Sequence, residues 1–579
     1  MQQTCRNPWC SQPFEITPED LAFYDQVSPI FAGKKELIPP PTLCPDCRQR
    51  QRLSFRNERR LFKRTCDLSK ESIISMYPPA TPFPVYSTAS WWSDQWDAKT
   101  YGSDVDFSRS FIEQLQELYL AVPRLQNVGS SDMKAMNSEY VNFAGWNKNC
   151  YLIFDSDYNE DCSYSNVIKH SKTCNDCSYV SHSQLCCECT DCNNCYELSH
   201  CQRCNNCNSG TFLLQCTGCQ HCAFCCNLAN KSYCLWNEQL TKEEYHLQLN
   251  ALLQPANRTL MEERWKAFTL RYPRKYCSIL QSEECTGDYI SQGQRCVSCF
   301  NVGEAQDLKY CDSVYRAKDC MDVSSFGEGI EQVSNSGTIG HGGFGIHFCY
   351  DCVTNCSNLF YCLQCHQSKN CFGCVGFRSG EYCILNKQYS KEGYEKLVPQ
   401  IIEHMRQDGE NGGAMNRTSE ASSGSWGEFF PVAMSPFAYN ETVAQEYFPL
   451  TQAEATKRGW TWREEKDEMP KVSKVIPAQK LPDTIADIPD DILNWAIECE
   501  TTKRPFRIVK QELAFYRQMQ LPIPHLHPDE RHRRRMALRN PRKLWNRKCA
   551  KCQKPIATSY ALERPEIVYC EECYLKEVY

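Results

Sequence analysis

Cys549-x-x-Cys552, seventeen intervening residues and Cys570-x-x-Cys573 have the spacing of two knuckles that close on one metal ion. Four thiolates on two short loops complete a tetrahedral zinc shell and leave no open position for a substrate, so the chemistry they offer is structural. Cys5, Cys10, Cys44 and Cys47 form a second set of this kind. Cys44-Pro-Asp-Cys47 runs into an Arg-rich stretch with helical character, which sets two thiolates at a helix start, where the backbone dipole favours negative charge.

Between the ends, eighteen cysteines fall from Cys150 to Cys234, and sixteen stand at positions divisible by three; Cys187 and Cys226 break the phase. Rows of twelve give columns such as Cys150, Cys162, Cys174, Cys186 and Leu198. A solenoid of about twelve residues per coil would turn one residue in three inward and stack the flanking Asn, Asp and Tyr outside. Cysteine is small and readily buried, which suits so narrow a core. The same spacing reads as a string of zinc knuckles. In the first block its ligands would be Cys174, Cys177, Cys186, Cys189, Cys192, Cys195, Cys204, Cys207, Cys216, Cys219, Cys222 and Cys225. In the second they would be Cys296, Cys299, Cys349, Cys352, Cys362, Cys365, Cys371 and Cys374. Iron–sulfur ligation, suggested by C-x-x-C-x-x-C at Cys186 and Cys201, stands second to zinc.

The elements that position these sulfurs follow from two duplications. FEITPEDLAFYDQ from Phe14 matches FRIVKQELAFYRQ from Phe506, and Cys44–Cys66 matches His527–Cys549. The second copy has Thr502 for Cys10, His527 for Cys44 and Glu530 for Cys47, so it is expected to keep the fold without metal. Cys66 aligns with Cys549 but lacks a C-x-x-C partner. The middle of the chain repeats at an offset of 149 residues, pairing Cys150 with Cys299 and Cys234 with Cys383. Each cysteine block ends in an expected helix, one opened by a Thr241/Glu244 capping box and one by Ser390, with Pro399 expected to kink or split the latter.

The expected fold class is multidomain and mainly β, with small α+β zinc modules. Residues 1–68 form a treble-clef zinc domain and 69–148 a Pro- and aromatic-rich connector. Residues 149–270 and 271–407 are the two Cys-rich solenoid-like blocks, each with its helix. A flexible linker (408–425), an extended segment (426–495), a degenerate metal-free treble clef (496–548) and a zinc ribbon (549–579) complete the chain.

Charge is unevenly placed. Residues 48–64 carry eight Arg/Lys against one Glu, and 531–548 carry nine against none, although the whole chain is −6. Two basic runs on an acidic body suit a localised anionic partner. Arg48, Arg52, Arg56, Arg59 and Arg60 in the first run, and Arg533, Arg534, Arg535, Arg539, Arg542 and Lys543 in the second, are candidates for RNA or DNA phosphate contact. The start MQQTCRNPWC has no signal-peptide pattern and no stretch has the length of a membrane span, so a cytoplasmic chain with reduced thiols is expected.

C-x-n-C-x-x-x-F, then FY, then P-x-x-CPDCR resembles the probable zinc-ribbon (treble-clef) domain family of bacteria, whose ligand positions Cys5, Cys10, Cys44 and Cys47 match. The layout as a whole resembles large Cys-rich zinc-binding proteins of candidate-phylum (Patescibacteria-type) bacteria through WSDQWDAKTYGSDVDFSRSF, VPRLQNV, SPFAYNETVAQEYFPL, RGWTW and YCEECYLKEVY. The resemblance implies zinc and brings no activity with it.

Catalytic patterns are lacking: there is no HExxH, GxxxxGK[ST] or GxSxG. Gly340 to Gly345 satisfies GxGxxG but runs into HFCYDC, not a helix, and reads as a glycine-rich insertion between coils. His341 and His347 are expected to be solvated. The sequence therefore points to a zinc-structured binding or scaffold protein without catalysis, whose partner is RNA, DNA or a protein docked on the cysteine blocks. A metal store or thiol-redox protein is the alternative, and an enzyme with an unfamiliar site is a third.

Overall fold

The computed structural model describes residues 1–129, 135–254, 257–410, 425–464 and 470–578. Two parallel β-solenoids form its centre. In the first, bridges join residues twelve apart, as in Lys148↔Glu160, Glu160↔Lys172 and Lys172↔Gln184. One residue in three is left-handed: Asn149, Leu152, Asp155, Tyr158 and onward all have φ near +50°. That conformation is costly for most side chains but tolerated best by Asn and Asp, which accounts for the polar residue ahead of so many cysteines. Those residues stack outside, as in Asn149 Nδ2 to Asp161 Oδ1 (3.0 Å), while the cysteines that follow point inward. The off-phase Cys187 faces outward and packs with Ile497, Leu513 and Tyr516 of the C-terminal module.

The second solenoid runs from Ile279 to Gln388 as one eleven-stranded sheet. Three of its coils hold thirteen residues, with Lys318↔Glu331, Glu331↔Phe344 and Phe344↔Ser357 in register. Each extra residue sits at a corner with two successive positive-φ residues: Ser325–Phe326, His341–Gly342 and Thr354–Asn355. Every insertion moves the inward phase by one position, so Cys349 and Cys352 are out of step with Cys320, and the third insertion restores the phase at Cys356. Gly340–Gly345 belongs to the second of these corners. His347 is buried rather than solvated, its Nδ1 2.8 Å from Ser334 Oγ.

Both solenoids are closed in the same way. A short antiparallel return follows the last coil, and its Asn pairs with a backbone N–H and C=O of the preceding coil: Asn237 with Cys226, and Asn386 with Val375. This satisfies main-chain groups that an open sheet end would bury unpaired. The expected helices follow, Lys242–Leu252 with its Thr241/Glu244 capping box and Lys391–Glu410, which runs unbroken through Pro399. The linker expected at 408–425 lies, for 411–424, outside the described residues. The 69–148 connector holds a helix that sequence reading missed, Phe111–Ala121; Phe111, Leu115 and Trp91 enter the core of the second solenoid. No helix among the described residues is long and apolar enough to cross a membrane.

Candidate metal centres and the arginine clamps

At the N-terminus, Gln2–Thr4 pairs with Pro13–Glu15, and Cys5 and Cys10 lie on the turn between them. Cys44 caps the Pro45–Leu53 helix and Cys47 sits in its first turn. The four Sγ atoms all lie within 4.8 Å of one another, with Cys10 and Cys44 at 3.7 Å. The Cys44 N–H donates to Cys5 Sγ, and Asn7 Nδ2 to Cys47 Sγ. Hydrogen bonds from the Cys44 and Cys47 thiols hold the Cys5 thiol down to about 2, while the same contacts raise Cys47 and leave Cys44 at about 12, so in the metal-free group the negative charge settles on Cys5.

The C-terminal site repeats the plan. Trp545–Lys548 pairs with Pro555–Thr558 beside Cys549 and Cys552, while Cys570 and Cys573 open the Glu571–Val578 helix. The second pair therefore lies at a helix start and not on a second β-knuckle. These four sulfurs also lie within 4.8 Å, with Cys552 and Cys570 at 3.7 Å. Burial raises the Cys549 pKa, but N–H groups of Cys552, Cys570 and Lys551 outweigh it and bring it to about 6. Either group could hold a metal ion.

Among the described residues, no other set of three or more Cys, His or carboxylate groups converges this closely. The central candidates from Cys174 to Cys225 and from Cys296 to Cys374 are spread along the solenoid walls, almost wholly buried. Each thiol lies over the main-chain carbonyl two residues back, and most also reach a carbonyl of the next coil. Cys177 Sγ is 3.5 Å from Asn175 O and 3.4 Å from Cys186 O; Cys365 Sγ is 3.6 Å from Leu363 O and 3.4 Å from Cys374 O. Burial pushes the Cys356 thiol up to about 12, and Cys320 upward as well, while hydrogen bonds from the Cys174 and Cys189 thiols bring Cys186 down to about 6.

Each module also carries the relic of the other's site. Cys66, Ser69, Ser87 and Ser90 stand at the spacing of Cys549, Cys552, Cys570 and Cys573. Cys66 ends the Phe62–Thr65/Ser72–Ser75 hairpin, and its Sγ accepts from Ser69 N (3.3 Å) and Ser87 N (3.2 Å) and lies 3.8 Å from Ser90 Oγ. In the C-terminal module, the Trp495–Glu498/Pro505–Phe506 hairpin presents Cys499, which accepts from His527 N at 3.2 Å just as Cys5 accepts from Cys44 N. The three serines stand at the same offset from Cys552, Cys570 and Cys573 as Cys66 does from Cys549, but carry no sulfur to mark them. Cys499 was missed because the hairpin register slips against the helix alignment. The combined Ser69→Cys, Ser87→Cys and Ser90→Cys variant is expected to bind one more metal ion per chain than the parent, read by elemental analysis. Unchanged content would contradict the equivalence.

The basic runs do something other than the sequence suggested. On the Pro45–Leu53 helix and just beyond it, Arg48 pairs with Asp322 at 2.8 Å; Arg52 reaches Ser324 and Asn335, both at 3.0 Å; and Arg56 reaches Thr338 at 3.0 Å. All three are at most 2 % exposed. The Pro528–Ala537 helix does the same to the first solenoid: Arg531 and Arg535 both grip Asp176, and Arg535 also reaches Ser178. The third arginine of each set bridges the two solenoids. Arg56 also meets Asp155 (3.1 Å), and Arg539 holds Asp191 and Asn301 (both 2.8 Å). Arg542 pairs with Asp312. The guanidinium fork suits such buried bidentate contacts.

These observations correct the expected phosphate contacts. Arg48, Arg52, Arg56, Arg535, Arg539 and Arg542 are engaged by the protein's own carboxylates, out of reach of a phosphate. Arg59 and Arg60 lie half-buried beside Asp529. Arg533 and Arg534 are largely exposed and pair, among the described residues, with Glu530 on their own helix, and Lys543 is exposed.

The modules are exchanged between the solenoids. Val85–Tyr86 of the first pairs in parallel with Arg124–Leu125, on the run into the first solenoid, although its arginines enter the second. Val568–Tyr569 of the last pairs in parallel with Arg274–Lys275, on the run into the second, although its arginines enter the first.

No protein-family model matches the chain, and no curated protein matches it. A crystal structure of a putative acetyltransferase from Desulfovibrio desulfuricans G20 aligns with 42 % of this chain and 65 % of its own length, at 10 % identity and a TM-score of 0.11. A likeness that weak carries no argument about fold or activity.

Proposed function

We propose that the chain is a zinc-structured, non-catalytic scaffold in which two metal-knotted end modules lock two thiol-cored solenoids into one rigid body. The reciprocal arginine clamp carries this reading. Each clamp helix starts at or just after a tetracysteine site or its relic, so the fold of the module sets the angle at which the arginines enter the solenoid. Zinc suits both sites: a tetrahedron with sulfur about 2.3 Å from the metal has edges of about 3.8 Å, close to the 3.7 Å separations. All-sulfur, four-ligand shells of this kind are structural. The central cysteines are read as a hydrogen-bonded thiol core and not as ligands, which weighs against metal storage.

The scaffold would meet RNA or DNA phosphates through the cations left outside the clamp, Arg533, Arg534 and Lys543 among them. Filter binding of mixed-sequence RNA and DNA at low salt tests this. Affinity is expected to fall steeply as salt rises, because phosphate contacts release counterions. No binding at the lowest salt would remove the nucleic-acid part of the proposal.

A further inference from the structure

Among the described residues, which include all 42 cysteines, Cys552 alone is exposed. Cys10, Cys285 and Cys573 are half-buried, and the rest are buried. The one fully accessible sulfur of this thiol-rich chain therefore belongs to a tetracysteine group, as does half-buried Cys573. Its knuckle stands clear of the body, with Lys551, Gln553, Lys554 and Pro555 all exposed. The N-terminal group is sheltered by comparison. Three of its sulfurs belong to residues at most 5 % exposed. Cys5 Sγ accepts from Cys44 N (3.3 Å), and Cys47 Sγ from Asn7 Nδ2 (3.5 Å) and an Arg50 N–H (3.6 Å). A thiolate stabilised by such donors is a weaker nucleophile.

The C-terminal group sits on the junction of the two solenoids. Val568–Tyr569, just ahead of Cys570, pairs with Arg274–Lys275 between them. Lys275 Nζ reaches Glu571 (2.8 Å), and Tyr574 OH donates to Asn227 Oδ1 (3.1 Å) near the end of the first solenoid. Ser559 holds Asp288 near the start of the second. Beside these contacts an open cleft of about 620 Å³, lined by Tyr276, Ile279, Cys285 and Glu571 among others, borders the leading strand of the second solenoid. The helix that Cys570 and Cys573 open thus fastens one solenoid to the next, and the four sulfurs fix where that helix starts.

We propose that the C-terminal tetracysteine group is an oxidation-sensitive latch, in which Cys552 attacks a hydroperoxide and Cys570, 3.7 Å away, resolves the product. The inference rests on the proposed zinc shell, in which each ligating thiol is deprotonated. Accessible thiolates with a second sulfur in reach are the usual redox-sensing pairs. Cys552 Sγ attacks the O–O bond, becomes a sulfenic acid and releases hydroxide. The Cys570 thiolate then attacks that sulfur, forms the disulfide and expels a second hydroxide. Two electrons pass from sulfur to peroxide, and two protons convert the hydroxides to water. Two thiolates remain, half of the shell that closes on zinc, so Cys549 and Cys573 no longer hold their ends of the module.

The test uses the full-length protein, purified under reducing conditions and then freed of reductant. Zinc release on addition of hydrogen peroxide is followed with a chromogenic chelator, and crosslinks are mapped by peptide mass spectrometry without reduction. The expected result is loss of one of two zinc ions and a Cys552–Cys570 link, with none among Cys5, Cys10, Cys44 and Cys47. New protease cleavage in 270–288 should accompany it. Cys552→His, whose three sulfurs and imidazole still suit zinc, should keep its ion under the same peroxide; if it binds one ion only, the parent's crosslink map decides. Loss of the N-terminal ion first or of both together overturns the latch, as does a first crosslink that omits Cys552 or release from Cys552→His as fast as from the parent. If peroxide leaves both ions in place, the latch falls and the zinc-structured scaffold stands. If the purified protein holds no zinc, both fall.

Discussion

Replacing Cys44 with serine is expected to empty the N-terminal metal site and unfold the module around it. Cys44 offers one of the four converging sulfurs and sits at the N-cap position of the clamp helix, so its sulfur ties that helix to Cys5 and Cys10. Apparent binding free energies of roughly 10–16 kcal/mol accompany structural zinc in small modules, as large as the whole stability of many domains, about 5–15 kcal/mol. The module has little else: its own core beside the four sulfurs is Phe14, Ile16 and Leu43. Loss of the knot should therefore loosen the helix that carries Arg48 and Arg52 and expose Asp322 to water. One metal ion fewer per chain and rapid proteolysis near the N-terminus are the readouts. Cys177→Ser, in a solenoid wall, supplies the contrast. It trades one buried hydrogen-bonding group for another, expected to cost only about 1–3 kcal/mol, with metal content unchanged. Equal metal loss in both variants would show that wall sulfurs are ligands.

Asp176→Ala and Asp322→Ala should each destabilise the fold by about 3–5 kcal/mol, the usual cost of stranding a buried partner charge. Asp322 is 1 % exposed and faces both Arg48 and Arg52; Asp176 is equally buried and faces Arg531 and Arg535. Either change leaves two guanidiniums in a dry interface. Their other partners, such as Ser324, Asn335, Ser178 and Tyr516, are neutral, apart from Glu512 beside Arg531 and Glu188, 3.7 Å from Arg535. Urea unfolding followed by tryptophan fluorescence measures the loss. Surface pairs give the comparison: Glu160, between Lys148 and Lys172 on the outer wall, should cost no more than about 1 kcal/mol on change to Ala. If Asp176→Ala and Glu160→Ala cost the same, the clamp contributes nothing.

Much of this architecture was legible in the residues. A three-residue phase of cysteine, with Asn or Asp just ahead, fixes both which position turns inward and where the left-handed corners fall, so the twelve-residue coil of the first solenoid was readable from Cys150 to Cys234. Both tetracysteine sites were readable from spacing. The clamp was not. Arg48, Arg52 and Arg56 recur every four residues with little apolar company, the pattern of a solvated or nucleic-acid-facing helix. Only the fold shows that the opposite surface is a wall of outward Asp, Asn and Ser, against which a basic face counts as an inward one. The thirteen-residue coils were hidden for a related reason: three single-residue insertions cancel in phase, so the 149-residue offset survives across a stretch where the columns do not.

Metal content per chain of freshly purified protein, with thiols counted in denaturant, tests the central claim most directly. Two zinc ions, one per tetracysteine site, with the solenoid thiols reduced and titratable, is the predicted result. Several further ions held along the solenoids, or no ion and cysteines largely paired as disulfides, would contradict it.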